Sequence, residues 1–178
     1  MSRSLRLVLP FLVTNSLGTQ ATSADIELSI EIPRLDVGQY HRPYVAGWIE
    51  GPDNEHVADL TVWYDVEMKN GQGESWLKDL RQWWRKSGRS AKLPIDGVSG
   101  PTRPVGYHTV EMPLSKVALP PSEKGQYSLV VEAAREVGGR ELVRIPFTWD
   151  GKNSVSVSGS GKSELGSIKF EITPPQPK

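Results

Sequence analysis

Apolar and polar residues alternate with a period of two through most of this chain. Ile26, Leu28, Ile30 and Ile32 are interleaved with Glu27, Ser29 and Glu31, the pattern of a strand with one dry and one wet face, and Pro33 ends it. Residues 44–50 (YVAGWIE) and 58–66 read as two more strands. The turn residues Gly51, Pro52, Asp53 and Asn54 between them predict a hairpin. Further strands are expected over 107–112, 126–136 and 141–148, with Gly138-Gly139 as the turn between the last two. Ile168, Phe170 and Ile172 alternate once more before Pro174-Pro175. One stretch changes period. Trp76, Leu77, Leu80, Trp83 and Trp84 recur at helical spacing, predicting an α-helix over 75–87 with Ser75 as its cap and Gly88 at its end. Residues 88–106 read as a loop, and the Ser/Gly-rich stretch 154–166 as a flexible segment. About seven strands with one short inserted helix make the expected fold mainly β, an immunoglobulin-like β-sandwich. It would form a single domain over 25–178.

The first 24 residues have a different character. Arg3 and Arg6 precede an apolar run from Leu7 to Leu17, and small residues lead up to Ala24. This is the layout of a cleavable secretory signal peptide, with cleavage expected after Ala24 or Ala21, and it points to the periplasm. The apolar run is too short to span a bilayer and contains Pro10, so a membrane anchor is disfavoured. The mature chain is expected to be soluble and not inserted in a membrane.

Composition narrows the chemistry. Lysine plus arginine and aspartate plus glutamate each number 21, so charge makes no case for nucleic acid or an anionic surface. The chain has no cysteine, which removes disulfides, thiolate nucleophiles, thiolate metal sites and iron–sulfur clusters together. His41, His56 and His108 lie far apart near turns and strand ends and are expected to be solvated, so no metal site is expected. No nucleophile elbow is present. The Gly159–Ser163 run lacks both the spacing of a phosphate loop and a following helix. An autonomous enzyme is therefore not expected.

One loop does suggest chemistry. Asp96-Gly97-Val98-Ser99-Gly100-Pro101-Thr102 reads locally as a polar turn. It also resembles the acceptor motif of covalently flavinylated bacterial proteins, in which Asp, Ser or Thr, Gly and a final Ser or Thr hold defined places. Asp96, Ser99, Gly100 and Thr102 match those places, and Pro101 stands where the pattern usually has alanine. The resemblance makes Thr102 the acceptor of FMN. Asp96 and Ser99 would be recognition groups, and Gly100 would let a transferase approach the backbone. Arg103 is a candidate contact for the flavin phosphate, and Trp83 or Trp84 a candidate shelter for the ring.

The segments YVAGWIE, ADLTVWY, WLKDLRQWW, DGVSGPTRPVG and PPSEKGQYSLVVEAARE together resemble the predicted periplasmic family called domain of unknown function twenty-two seventy-one. The last of them is also similar to the immunoglobulin-like domain of flagellar hook-capping proteins. The family resemblance implies association with an FAD:protein FMN transferase and with PepSY-type membrane redox proteins. It implies an electron carrier with FMN on the loop. The alternative is a non-catalytic immunoglobulin-like binding or scaffold module of the envelope, in which the loop is only a turn.

Overall fold

The structure, a computed structural model, describes residues 25–120 and 126–174, so the expected signal peptide lies outside the described residues. Among them nine strands form two sheets: β1 (Asp25–Ile32), β2 (Tyr44–Glu50), β3 (His56–Tyr64), β4 (Ser99–Pro101), β5 (Gly106–Pro113), β6 (Gln126–Ala134), β7 (Arg140–Thr148), β8 (Val155–Ser160) and β9 (Ser167–Thr173). One sheet runs β5-β1-β9-β8 and the other β4-β3-β2-β6-β7. The pairings are antiparallel except for β3 with β4, which are parallel. The result is a mainly β two-sheet sandwich.

Register explains how alternation becomes a core. Ile26 stands opposite Ile172, Leu28 opposite Phe170, and Ile30 opposite Ile168, so three apolar pairs line one face of the first sheet. That face meets Val45, Ile49, Leu60, Trp63, Leu129 and Val131 from the second sheet, all buried. Tyr127, Phe147 and Phe170 continue the contact, with successive ring centroids 5.7 and 5.1 Å apart. Strand β2 is buried on both faces, which is why YVAGWIE reads as a nearly continuous apolar run. Its second face, with Ala46 and Trp48, joins Val62, Tyr64 and Val130 under a third layer formed by residues 69–88.

That third layer is not the regular α-helix expected over 75–87. It consists of 3-10 turns over Lys69–Asp79, one α-helical turn at Arg81–Trp83, and a π turn at Trp84–Gly88. Asn70 and Gly71 sit in the left-handed region at φ 57° and 68° and break its start. The buried residues explain its shape. Leu77, Leu80 and Trp83 enter the sheet at intervals of three, the period of a 3-10 helix. Trp76 falls off that line and is exposed, against the expectation that it belongs to the buried stripe. Ser75 does not cap the start; its hydroxyl donates to the Gln72 carbonyl at 2.6 Å.

Two further expectations are corrected. The Ser/Gly-rich stretch 154–166 contains a strand, β8, because β9 supplies its ladder and Val155 and Val157 face the interior. The turn that follows is tied to the Glu141 carboxylate, which accepts from the Lys162, Ser163 and Leu165 backbone N–H groups. Burial raises the Glu141 pKa, and those donors together outweigh it, leaving the carboxyl below its usual range. The 88–106 loop likewise contains β4, which extends the second sheet at its edge.

Candidate functional site

The motif loop is built from a closed turn and a short strand. The Val98 and Ser99 N–H groups donate to the Ile95 carbonyl at 3.2 and 2.9 Å, and the Ile95 N–H donates to Ser99 Oγ at 2.9 Å. Gly97 adopts φ 69°, which this turn requires of its residue. Ser99 is thus engaged in holding the turn, whereas Asp96 is exposed at its tip. Gly100 lies within β4. A Cβ there would meet Trp63 Cδ1 at 3.8 Å and Arg103 Nη2 at 3.9 Å, ordinary contacts at an ordinary φ. Neither conformation nor internal packing demands a glycine at 100.

Thr102 follows β4 directly. It is half-buried, and its hydroxyl makes no hydrogen bond among the described residues. The chain beyond it is held at two points. The Arg103 guanidinium lies over the Trp63 ring at 5.5 Å, and its Nε is buried without a partner among the described residues. His108 packs edge-on against Trp63 at 5.8 Å, and its Nε2 hydrogen-bonds the Pro104 carbonyl at 2.7 Å.

Thr102 lines a cleft of about 480 Å³ assembled from five parts of the chain: 41–44, 65–68, 76–79, 102 and 134–137. Its apolar lining includes Tyr44, Met68, Trp76 and Val137. Trp76 is 48% exposed and Val137 80%. Polar groups of both signs complete the wall. His41 approaches Glu136 through Nδ1 at 3.4 Å, while its Nε2 is buried without a partner among the described residues. Arg135 is bound in bidentate fashion by Glu164, at 2.8 and 3.0 Å, and that hydrogen bonding holds its guanidinium above its usual pKa. Burial raises the Tyr44 phenol above its ordinary value, against the opposing effect of its hydrogen bond to the Asp65 backbone.

The tryptophans singled out as ring shelters are not the ones at the cleft. Trp83 is fully buried and donates its indole N–H to Asp59 at 2.8 Å; Trp84, half-buried beside it, does not line the cleft. Trp76 takes that place.

Two groups escaped the sequence reading. Asp59 on β3 accepts from Trp83 Nε1 and from Ser87 Oγ, at 2.8 Å each, and pairs with His56 Nε2 at 2.8 Å. Serine, histidine and aspartate thus meet, but the serine donates to the aspartate rather than to the imidazole. A nucleophile needs its base as hydrogen-bond acceptor, so this cluster ties the third layer to the sheet instead of activating Ser87. Nor are the histidines merely solvated: each has a definite neighbour. The second group is a pair of fully buried carboxylates. Glu50 is held by Arg144, by Lys86 at 3.1 Å, and by Trp48 Nε1 at 3.0 Å. Glu132 accepts from the Gln82 and Trp83 N–H groups and from Arg140. Among the described residues no three His, Asp or Glu side chains converge as a metal site would need, and no helix is long and apolar enough to cross a membrane.

Comparison with curated proteins and with solved structures yields no match. A family model does match, over residues 25–167, and the chain therefore belongs to the family described as predicted periplasmic protein (DUF2271).

Proposed function

We propose that this protein is exported through a cleavable leader and carries FMN in phosphodiester linkage on Thr102, acting as an electron carrier in the periplasm. The observation that carries the reading is the Thr102 hydroxyl. It has no internal partner among the described residues, it follows a short edge strand, and it stands on the rim of a cleft with an exposed indole. Gly100 adds support, since nothing within the chain calls for its missing side chain, while an enzyme closing around the loop would. The cleft volume lies within the range of small-molecule sites, about 300–1,000 Å³. The family match begins at Asp25, where the expected leader ends.

The coupling balances with FAD as donor. The threonyl oxygen attacks the FMN-side phosphorus, the pyrophosphate bond to AMP breaks, AMP leaves, and the hydroxyl proton passes to a base of the FMN transferase. The product keeps the isoalloxazine ring unmodified. That ring supplies the redox chemistry, while the protein supplies tether and surroundings. A PepSY-type membrane protein is the proposed redox partner.

Co-expression with export and an FAD:protein FMN transferase tests this. The expected product is yellow, begins at Asp25 or Thr22, and gains the mass of FMN less water on the peptide containing Thr102. Thr102→Ala should lack the added mass on that peptide and carry no flavin after denaturation. An unmodified parent overturns the proposal and leaves the binding or scaffold module of the envelope.

A further inference from the structure

We infer that the cleft between Met68, Trp76 and Val137 is a seat for a planar heteroaromatic ring, and that a flavin tethered at Thr102 folds back into it. The tethered case rests on the proposal above. The cleft's affinity for a free flavin ring stands apart from it.

Exposure makes the first argument. Trp48, Trp63, Trp83 and Trp149 are buried, so this fold has ample means of covering indoles. Trp76 instead leaves nearly half its surface in water while lining a concave site, an arrangement suited to stacking on a second π-system. Met68, 38% exposed in the same lining, adds a polarizable thioether suited to a ring edge.

Val137 makes the second argument. It adopts φ 52°, a conformation that a β-branched residue rarely takes. The turn imposes this through Gly138 N–H to Arg135 carbonyl and Arg135 N–H to Gly139 carbonyl, both 3.0 Å. Glycine or asparagine would sit there without strain, and Val137 buries too little surface to repay it. Val137 instead lines the cleft, where contact with a ligand would give it a use.

Polarity makes the third. An isoalloxazine has an apolar dimethylbenzene end and a pyrimidine end rich in donors and acceptors. The cleft offers both, with Met68, Trp76 and Val137 among its apolar lining residues and Arg42, Asp65 and Asp79 among its polar ones.

The test uses the mature chain made without any transferase, titrated with riboflavin and separately with FMN, following flavin fluorescence. Saturable quenching is expected with both, because the ring and not the phosphate occupies the seat. Trp76→Ala should weaken binding about tenfold or more, as expected for loss of a stacked aromatic pair. Val137→Gly should weaken it while thermal stability holds or rises, which separates loss of the seat from loss of the fold. Absence of saturable quenching by riboflavin in the parent, or equal affinity in Trp76→Ala, overturns the seat. Failure of FMN attachment registers separately, as an unmodified intact mass after co-expression, so the two ideas fail independently.

Discussion

Glu132 joins the second sheet to the layer that carries Trp76, and replacing it offers the sharpest test of how that layer is held. Its carboxylate is fully buried and accepts the Gln82 N–H at 3.0 Å, the Trp83 N–H at 2.9 Å and Arg140 Nε at 2.7 Å. These are the first backbone donors of a helical turn, for which no preceding carbonyl is in position. Glu132→Ala leaves both N–H groups buried and unpaired, at about 1–3 kcal/mol each. Arg140 is 36% exposed and regains water when the carboxylate goes, so the ion pair adds under about 1 kcal/mol to what Glu132→Ala loses. The expected loss is therefore about 4 kcal/mol for Glu132→Ala and about 1 kcal/mol for Glu132→Gln, whose amide oxygen still accepts from the Gln82 and Trp83 N–H groups while the charge is gone. Against a total stability of about 5–15 kcal/mol, the first is severe and the second minor. Urea denaturation of the mature chain, followed by tryptophan fluorescence and fitted with a common slope, measures both. Equal losses for the two variants, or a loss under about 1 kcal/mol for Glu132→Ala, would refute the argument that backbone capping rather than ion pairing is what Glu132 contributes.

Three other outcomes follow from particular contacts. Burial raises the Glu50 pKa and is the largest single influence, but hydrogen bonds from Arg144, Trp48 and Lys86 together outweigh it, so the carboxyl sits below its ordinary value of 4.5. With the folded value depressed, the unfolded chain binds more protons between the two pKa values. The stabilisation is thus present above about pH 4.5 and is lost as pH falls through the folded value; Glu50→Gln should flatten that acid limb in urea titrations at stepped pH. Gly88→Ala would put a Cβ 2.5 Å from Trp83 Cζ3 and should lower stability by about 1–3 kcal/mol, read as a fall in melting temperature. Gly100→Ala meets only ordinary contacts and should change stability by no more than about 0.5 kcal/mol. If Thr102 is flavinylated, the same variant should be modified more slowly in a mass-spectrometric time course, whereas a parent-like rate would remove Gly100 from transferase recognition.

The strands most legible in the sequence are those whose two faces differ most. The run Ile26, Leu28, Ile30, Ile32 specifies β1 to within a residue, and Tyr44–Glu50 matches β2 at both ends. Period-two alternation and bounding prolines act within a few residues and need no partner to be read. The two-sheet sandwich follows, because so many short strands can bury their apolar faces only against one another. The motif residues 96–102 were legible as a group, since turn-forming residues announce themselves by type.

The tertiary structure decided what depends on distant neighbours. β8 is a strand because β9 supplies its hydrogen-bond ladder, which its serines and glycines do not foretell. Helical spacing in 76–84 marked a helical layer, but only the spacing of the holes in the second sheet chose Leu77, Leu80 and Trp83 as the buried line and turned Trp76 outward. Glu50 and Glu132 look like solvent-facing residues until the third layer covers them and adds Lys86 to the first and the Gln82 and Trp83 N–H groups to the second. The cleft beside Thr102 is composed of segments up to 96 positions apart, from His41 to Val137. Alternation records which way a side chain faces locally; what it then meets, and whether water reaches it, is settled by segments far away in the chain.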